Sequence, residues 1–264
     1  MSYKLDVELS EALEPYRNAI EATIESYIKI ELTDNSQPTW WQSKFGGLPY
    51  MPKGFEYPKS NDGEYLYLLA QINFAEVPNL AGLPEQGILQ FYIAANEDLY
   101  GCNFENPFNQ DKFRVVYFPE VDSEINNLLT DFSFLPKLES EDWLMPFQGC
   151  CAVKFNLDTA PISPSDYQFN FFDSCDGNEE DEYIDKFYSD EHKLLGYPGF
   201  IQEDPRPCLS GGEQYVLLFQ MDSDANENGF DMCWGDGGIA NFFIQRSHLQ
   251  KLDFTQVLYN WDCG

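Results

Sequence analysis

A chain of 264 residues is long enough to bury roughly 70–75% of its unfolded surface, so its core needs no disulfide or metal staples. Forty-five acidic residues against 15 basic ones give a formal net charge of −30, a field that repels nucleic-acid phosphates and anionic lipid headgroups and attracts basic proteins and cations. Direct nucleic-acid binding is therefore not expected. The seven cysteines are odd in number and contain no Cys-x-x-Cys pair, and the N-terminus has neither a basic nor an apolar leader region. Reduced thiols in a soluble cytoplasmic protein, with no membrane span, are the expectation.

Leu9, Leu13, Tyr16, Ile20, Ile24, Tyr27 and Ile28 recur at three- and four-residue steps, which predicts an N-terminal amphipathic helix with Ser10 as its N-cap and Pro15 as a kink or late start. The turn formers at 33–38 end it. Residues 40–59, rich in Gly and Pro, read as irregular with short extended pieces. Strands are predicted at 64–74, 87–94 and 112–118, the first apolar on both faces and hence central in a covered sheet. A short helix capped by Asp122 follows, then a strand at 150–157 and an acidic helix at 179–188. Further strands are expected at 215–221 and 238–244, and the segment 249–259 reads equally as strand or helix. The mixture is α+β, mostly antiparallel or mixed sheet.

The chain also repeats itself. Lys44-Phe45-Gly46-Gly47-Leu48-Pro49 is matched by Lys193-Leu194-Leu195-Gly196-Tyr197-Pro198, and Tyr67-Leu68-Leu69-Ala70-Gln71-Ile72 by Val216-Leu217-Leu218-Phe219-Gln220-Met221, both 149 residues apart. Gly87–Ile93 and Gly238–Ile244 correspond at a separation of 151. Two pseudo-symmetric halves, residues 1–121 and 122–264, packed as one unit, are expected from such a duplication.

Together Gly46-Gly47-Leu48-Pro49, Leu68–Asn73, Gly87–Tyr92, Leu195–Pro198 with Gln202, and Trp234-Gly235-Asp236-Gly237-Gly238 resemble the YwqG-like family of uncharacterised bacterial proteins, from about Trp41 to Gly264. The resemblance implies a fold and no established reaction. Members occur in gene neighbourhoods of toxin and immunity systems, which implies a protein-binding role.

Candidate sites divide in two. Gln71 and Gln220 hold matching places in apolar strands, with Asn73 and Asp222 two residues on, and a buried amide without partners costs about 1–3 kcal/mol. Either these side chains bond to loop backbone, or they converge with Trp234 and Asp236 on a ligand cleft between the halves. The acidic run of Asp176, Glu179, Glu180, Asp181 and Glu182 reads as a solvated helix start or as a docking surface for a basic protein. Oxygen side chains alternate through 222–231, but Glu227 and Cys233 stand where a calcium loop needs Gly and Glu, so no metal is assigned. His192 and His248 are the only histidines, no catalytic motif is assembled and no cofactor is implied. The expected function is an acidic, immunity-type binding protein for a basic partner, with an enzyme or small-molecule binder as the alternative.

Overall fold

The computed structural model describes residues 3–137, 144–172, 178–209 and 213–264. The strands, in chain order, are β1 Glu25–Leu32, β2 Lys44–Gly46, β3 Tyr67–Asn73, β4 Ile88–Ile93, β5 Phe113–Phe118, β6 Cys150–Ala160, β7 His192–Leu194, β8 Tyr215–Asp222, β9 Asp224–Ala225, β10 Asp231–Met232, β11 Ile239–Gln245 and β12 Leu258–Asp262. The helices are α1 Arg17–Ala22, α2 Glu179–Phe187 and α3 Arg246–Gln250. Ten strands form one antiparallel sheet in the order β12-β11-β8-β7-β1-β6-β2-β3-β4-β5, and β9 and β10 make a separate hairpin. The class is α+β, with far more sheet than helix.

The strand order has a centre. Outward from the β1/β6 pair, one wing runs β2-β3-β4-β5 and the other β7-β8-β11-β12. The first strand of the chain lies beside the second wing, and β6 lies beside the first, so each wing is hydrogen-bonded to a strand from the other stretch of sequence. The sheet curls until the wings face one another. Phe91 of β4 meets Phe219 of β8 and Phe242 of β11 at ring-centroid distances of 4.8 Å each, and Phe113 of β5 meets Tyr259 of β12 at 5.2 Å. These rings are fully buried in one core cluster, and rings of this size dominate the apolar area buried.

Both long inner strands carry a bulge at matching places. The β3/β4 register skips Leu69 and the β8/β11 register skips Leu218, 149 residues later. A bulge reverses the alternation beyond it. Leu68 and Leu217 therefore pack in satellite clusters, while Leu69, Ala70 and Ile72, and likewise Leu218, Phe219 and Met221, enter the main core. The turns at Gly46-Gly47 and Leu195-Gly196 also match, all four residues having φ between 61° and 71°. A Cβ on Gly196 would lie 2.8 Å from that of Tyr27, so this turn needs glycine for space as well as conformation.

The predicted N-terminal helix is corrected here. Helical backbone is confined to Glu14–Tyr16 and α1, and Tyr27 and Ile28, assigned to the helix by their spacing, lie in β1. Residues 28–32 alternate Ile, Lys, Ile, Glu, Leu, a period of two that lets Ile28 and Ile30 reach the core while Lys29 and Glu31 face outward. Ser10 is not the N-cap: Leu13 holds that position with no side-chain cap, and Ser10 Oγ accepts from the Leu13 N–H at 3.2 Å in the turn before the helix. The segment 249–259 is divided, its first residues finishing α3 and its last opening β12. The helix expected after Asp122 is a single 3-10 turn, Ile125–Asn127.

Among the described residues no helix is long and apolar enough to cross a membrane. Cys102, Cys150, Cys151, Cys208, Cys233 and Cys263 carry free thiols.

Candidate functional site

The paired glutamines are spent on backbone. Gln71 is fully buried: its Oε1 accepts from the Tyr50 N–H at 2.7 Å and from Gln90 Nε2 at 2.8 Å, and its Nε2 donates to the Trp40 and Gln42 carbonyls at 2.8 Å each. Gln220, equally buried, accepts from the Gly199 N–H at 2.8 Å and donates to the Ser189 and Glu191 carbonyls at 2.8 and 2.9 Å. Asn73 donates from Nδ2 to the Trp41 carbonyl at 3.0 Å, and its Oδ1 accepts from the Ala75 N–H. All of this bonding pins irregular loops against strand ends. Trp234 is buried against Tyr100 and Trp261, and Asp236 is exposed in the turn after it. The six residues therefore sort into separate places, and Asp222 lines a cleft.

Of the acidic run, Asp176 lies outside the described residues. Glu179, Glu180, Asp181 and Glu182 occupy the first turn of α2, where carboxylates suit the helix dipole. Tyr183 anchors that helix, buried among Leu13, Ile20 and Phe169, and Glu182 accepts a hydrogen bond from Ser10. The chain then runs through Tyr188 and Ser189 into the cleft that holds Asp222.

This cleft, of about 570 Å³, exists because β7 is short. Ile30 pairs with His192, the first residue of β7, but β1 continues to Leu32 with no β7 partner, while β8 runs on to Asp222 and β9 follows. The notch is lined by Lys29–Leu32 and Asp34 on one side, Asp190, Glu191 and His192 at the base, and 222–227 on the other. Asn226 closes its far end by donating to the Thr33 carbonyl at 2.8 Å.

Seven carboxylates line it: Glu31, Asp34, Asp190, Glu191, Asp222, Asp224 and Glu227. Its one lysine is engaged, Lys29 Nζ lying 2.8 Å from Glu191. Burial works to raise the Glu191 carboxyl, but Lys193, Lys29 and Tyr27 outweigh it and leave it below the usual value. Burial pushes Asp222 up to about 6, against the Ser223 N–H and His192, which favour the charge, while Asp190 and Asp224 add repulsion.

His192 is 2% exposed, and its Nδ1 accepts from the Asp222 N–H at 2.9 Å. That bond puts the lone pair on Nδ1 and the proton of the neutral ring on Nε2. Nε2 lies 3.4 Å from Asp224 Oδ2, an ion-pair separation too long and bent to be a hydrogen bond, and has no other partner. The His192 ring beside it and the Ala225 N–H hold the Asp224 carboxyl below its usual range, although burial opposes them. With Nε2 protonated, the ring offers no ligand for a metal. Among the described residues no three His, Cys, Asp or Glu side chains converge on a point where a metal would sit.

Residues 43–263 match the family described as Domain of unknown function (DUF1963). The chain belongs to that family. No curated protein matches it. The DUF1963 region contains β2 to β12, whereas β1, one wall of the cleft, precedes it. Sequence reasoning reached Asp222 through its correspondence with Asn73, passed over Asp190, and met His192 as a histidine without a catalytic motif and Asp224 within the 222–231 loop without joining them to a site. The available signal was the 149-residue correspondence itself, which sets His192 opposite Ser43: the Asn73 N–H bonds Ser43 Oγ as the Asp222 N–H bonds His192.

Proposed function

We propose that this DUF1963 chain is an acidic binding protein that engages a basic protein partner and takes the partner's cationic side chains in the cleft beside His192. The observation that carries the reading is the unbalanced charge of that cleft, seven carboxylates lining it with a single lysine, itself paired. Such a concentration of charge accelerates encounter with a basic surface and makes binding salt-dependent. An immunity-type role, with the acidic face covering the nucleic-acid site of a toxin domain in a bacterial cytoplasm, is the form suggested by the resemblance to YwqG-like proteins. The two wings are read as products of a duplication, supported by the 149-residue spacing of their glutamines, bulges and turns.

The test is capture of partners by the tagged chain from its native cells at low salt, salt elution and mass spectrometry. It is run beside a variant carrying Asp190→Asn, Asp222→Asn and Asp224→Asn. A stoichiometric basic protein that the wild type holds and the variant loses supports the reading. Recovery of no basic protein by folded wild type, or equal recovery by the variant, sinks it.

A further inference from the structure

The notch also exposes main chain. The Thr33 N–H donates to the Ala152 carbonyl on the β6 side at 3.0 Å. Since backbone groups alternate in direction along a strand, the N–H and C=O of Leu32 point the other way, into the cleft. Val153, across from Leu32, uses its own N–H on the β2 side, donating to the Ser43 carbonyl at 3.3 Å. Where β7 would have continued past His192, Asp190 forms no backbone hydrogen bond with Leu32 among the described residues. Leu32 thus presents the donor and acceptor of a sheet edge inside an acidic cleft.

His192 is the second, independent feature. Its Nε2–H is buried with no acceptor in hydrogen-bond geometry, the Asp224 carboxylate standing 3.4 Å away and out of line. An ammonium or guanidinium group cannot satisfy it, because both are donors only. A ligand that suits the whole notch needs acceptors as well as positive charge, and a basic polypeptide in extended conformation has both. A polyamine supplies the charge alone.

We propose that the notch binds a short extended segment of a basic polypeptide, which continues the sheet beyond the end of β7. Its main chain pairs with the Leu32 N–H and C=O, one of its carbonyls accepts from His192 Nε2, and its Lys or Arg side chains lie against Asp190, Asp222, Asp224 and Glu227. Main-chain pairing supplies affinity and the carboxylates supply selectivity, as in other strand additions to open sheet edges. The inference rests on the reading of this cleft as the partner site and names how the partner enters it.

The test is titration of the full chain at low salt with three probes: an acetylated, amidated hexapeptide of alternating lysine and threonine, the same peptide with N-methylated backbone amides, and spermidine. The expected result is saturable one-to-one binding of the parent peptide, with N-methylation weakening it by about tenfold and spermidine weaker still. His192→Asn keeps an acceptor for the Asp222 N–H while removing the Nε2–H, and it is expected to weaken the parent peptide by roughly three- to tenfold when measured well below its own melting temperature, which falls because the ring packs on Phe45, while spermidine binding is unchanged. Equal affinity for the N-methylated peptide or spermidine overturns main-chain pairing and leaves the electrostatic reading standing. Absence of binding by all three probes overturns the inference; the binding-protein reading then survives only if capture from cells still recovers a basic partner that depends on the cleft aspartates.

Discussion

Gln71 and Gln220 stand 149 residues apart and hold matching hydrogen bonds to backbone. Each Oε1 takes a backbone N–H from a residue 21 positions away in sequence, Tyr50 or Gly199, and each Nε2 bridges two loop carbonyls. Removing either side chain leaves a buried N–H and carbonyls without partners. Gln71→Ala and Gln220→Ala are each expected to cost about 2–5 kcal/mol in urea unfolding. Midpoints and slopes unchanged from wild type would contradict a structural role for these amides.

The match breaks one shell further out, and the break is instructive. In the first wing Gln90 donates to the Tyr50 carbonyl, and its Oε1 accepts from the Tyr92 hydroxyl at 2.8 Å. In the second, Asn241 donates to the Gly199 carbonyl, but its Oδ1 is buried without a partner among the described residues, and Phe243 stands where Tyr92 would be. Combining Asn241→Gln with Phe243→Tyr rebuilds the bond of the first wing. A double-mutant cycle is expected to give a favourable coupling of about 0.5–1.5 kcal/mol. Strict additivity of the two single changes would show that the hydroxyl does not reach the amide.

How much of this was legible from sequence depended on whether a feature was local. Strands β4, β5, β8 and β11 follow their apolar runs to within a residue or two. β1 did not, because Leu9 to Ile28 satisfies a helical spacing while Glu25–Leu32 satisfies a strand spacing, and pairing with β6 decides between them. The bulges at Leu69 and Leu218 carry no residue signature, so the alternation predicted through β3 reverses halfway. The cleft was invisible for a related reason. It is made by the early end of β7, a fact of tertiary pairing, and only Asp222 among its carboxylates was marked by the repeat.

Lys44 of β2 is 2% exposed, and among the described residues its Nζ donates to a single acceptor, the Thr39 carbonyl, at 3.2 Å. Burial lowers its pKa to about 8, with Cys150 and Glu76 acting in the opposite sense. Between that value and the ordinary lysine value the unfolded chain binds the extra proton, so this group's contribution to stability rises with pH across the window and its cost is in force below pH 8. Lys44→Met keeps the volume and removes the buried charge. It is expected to raise stability at pH 7 by about 1–2 kcal/mol and to flatten the rise between pH 8 and 10. A destabilised variant, or one with the wild-type pH profile, would show that the ammonium is favourably held.

Asp222 gives the converse case and links stability to binding. Its carboxyl faces His192, Asp190 and Asp224 and the Ser223 N–H, with Lys193 and Tyr188 nearby, and burial raises its pKa to about 6. The folded chain keeps this proton up to about that pH, whereas the unfolded chain releases it near 3.8. Within that window the folded state binds more protons, so this contribution to stability is lost as pH rises from 4 to 6. Asp222→Asn should therefore stabilise the protein at pH 7 relative to wild type and have little effect at pH 4, which urea midpoints at intervening pH values would measure. A cationic partner reverses the balance, because it favours the ionised carboxylate. Affinity for a basic peptide is expected to rise between pH 5 and 7 in the wild type, and to rise less in Asp222→Asn. Parallel pH profiles for the two proteins would show that Asp222 titrates without regard to what enters the cleft.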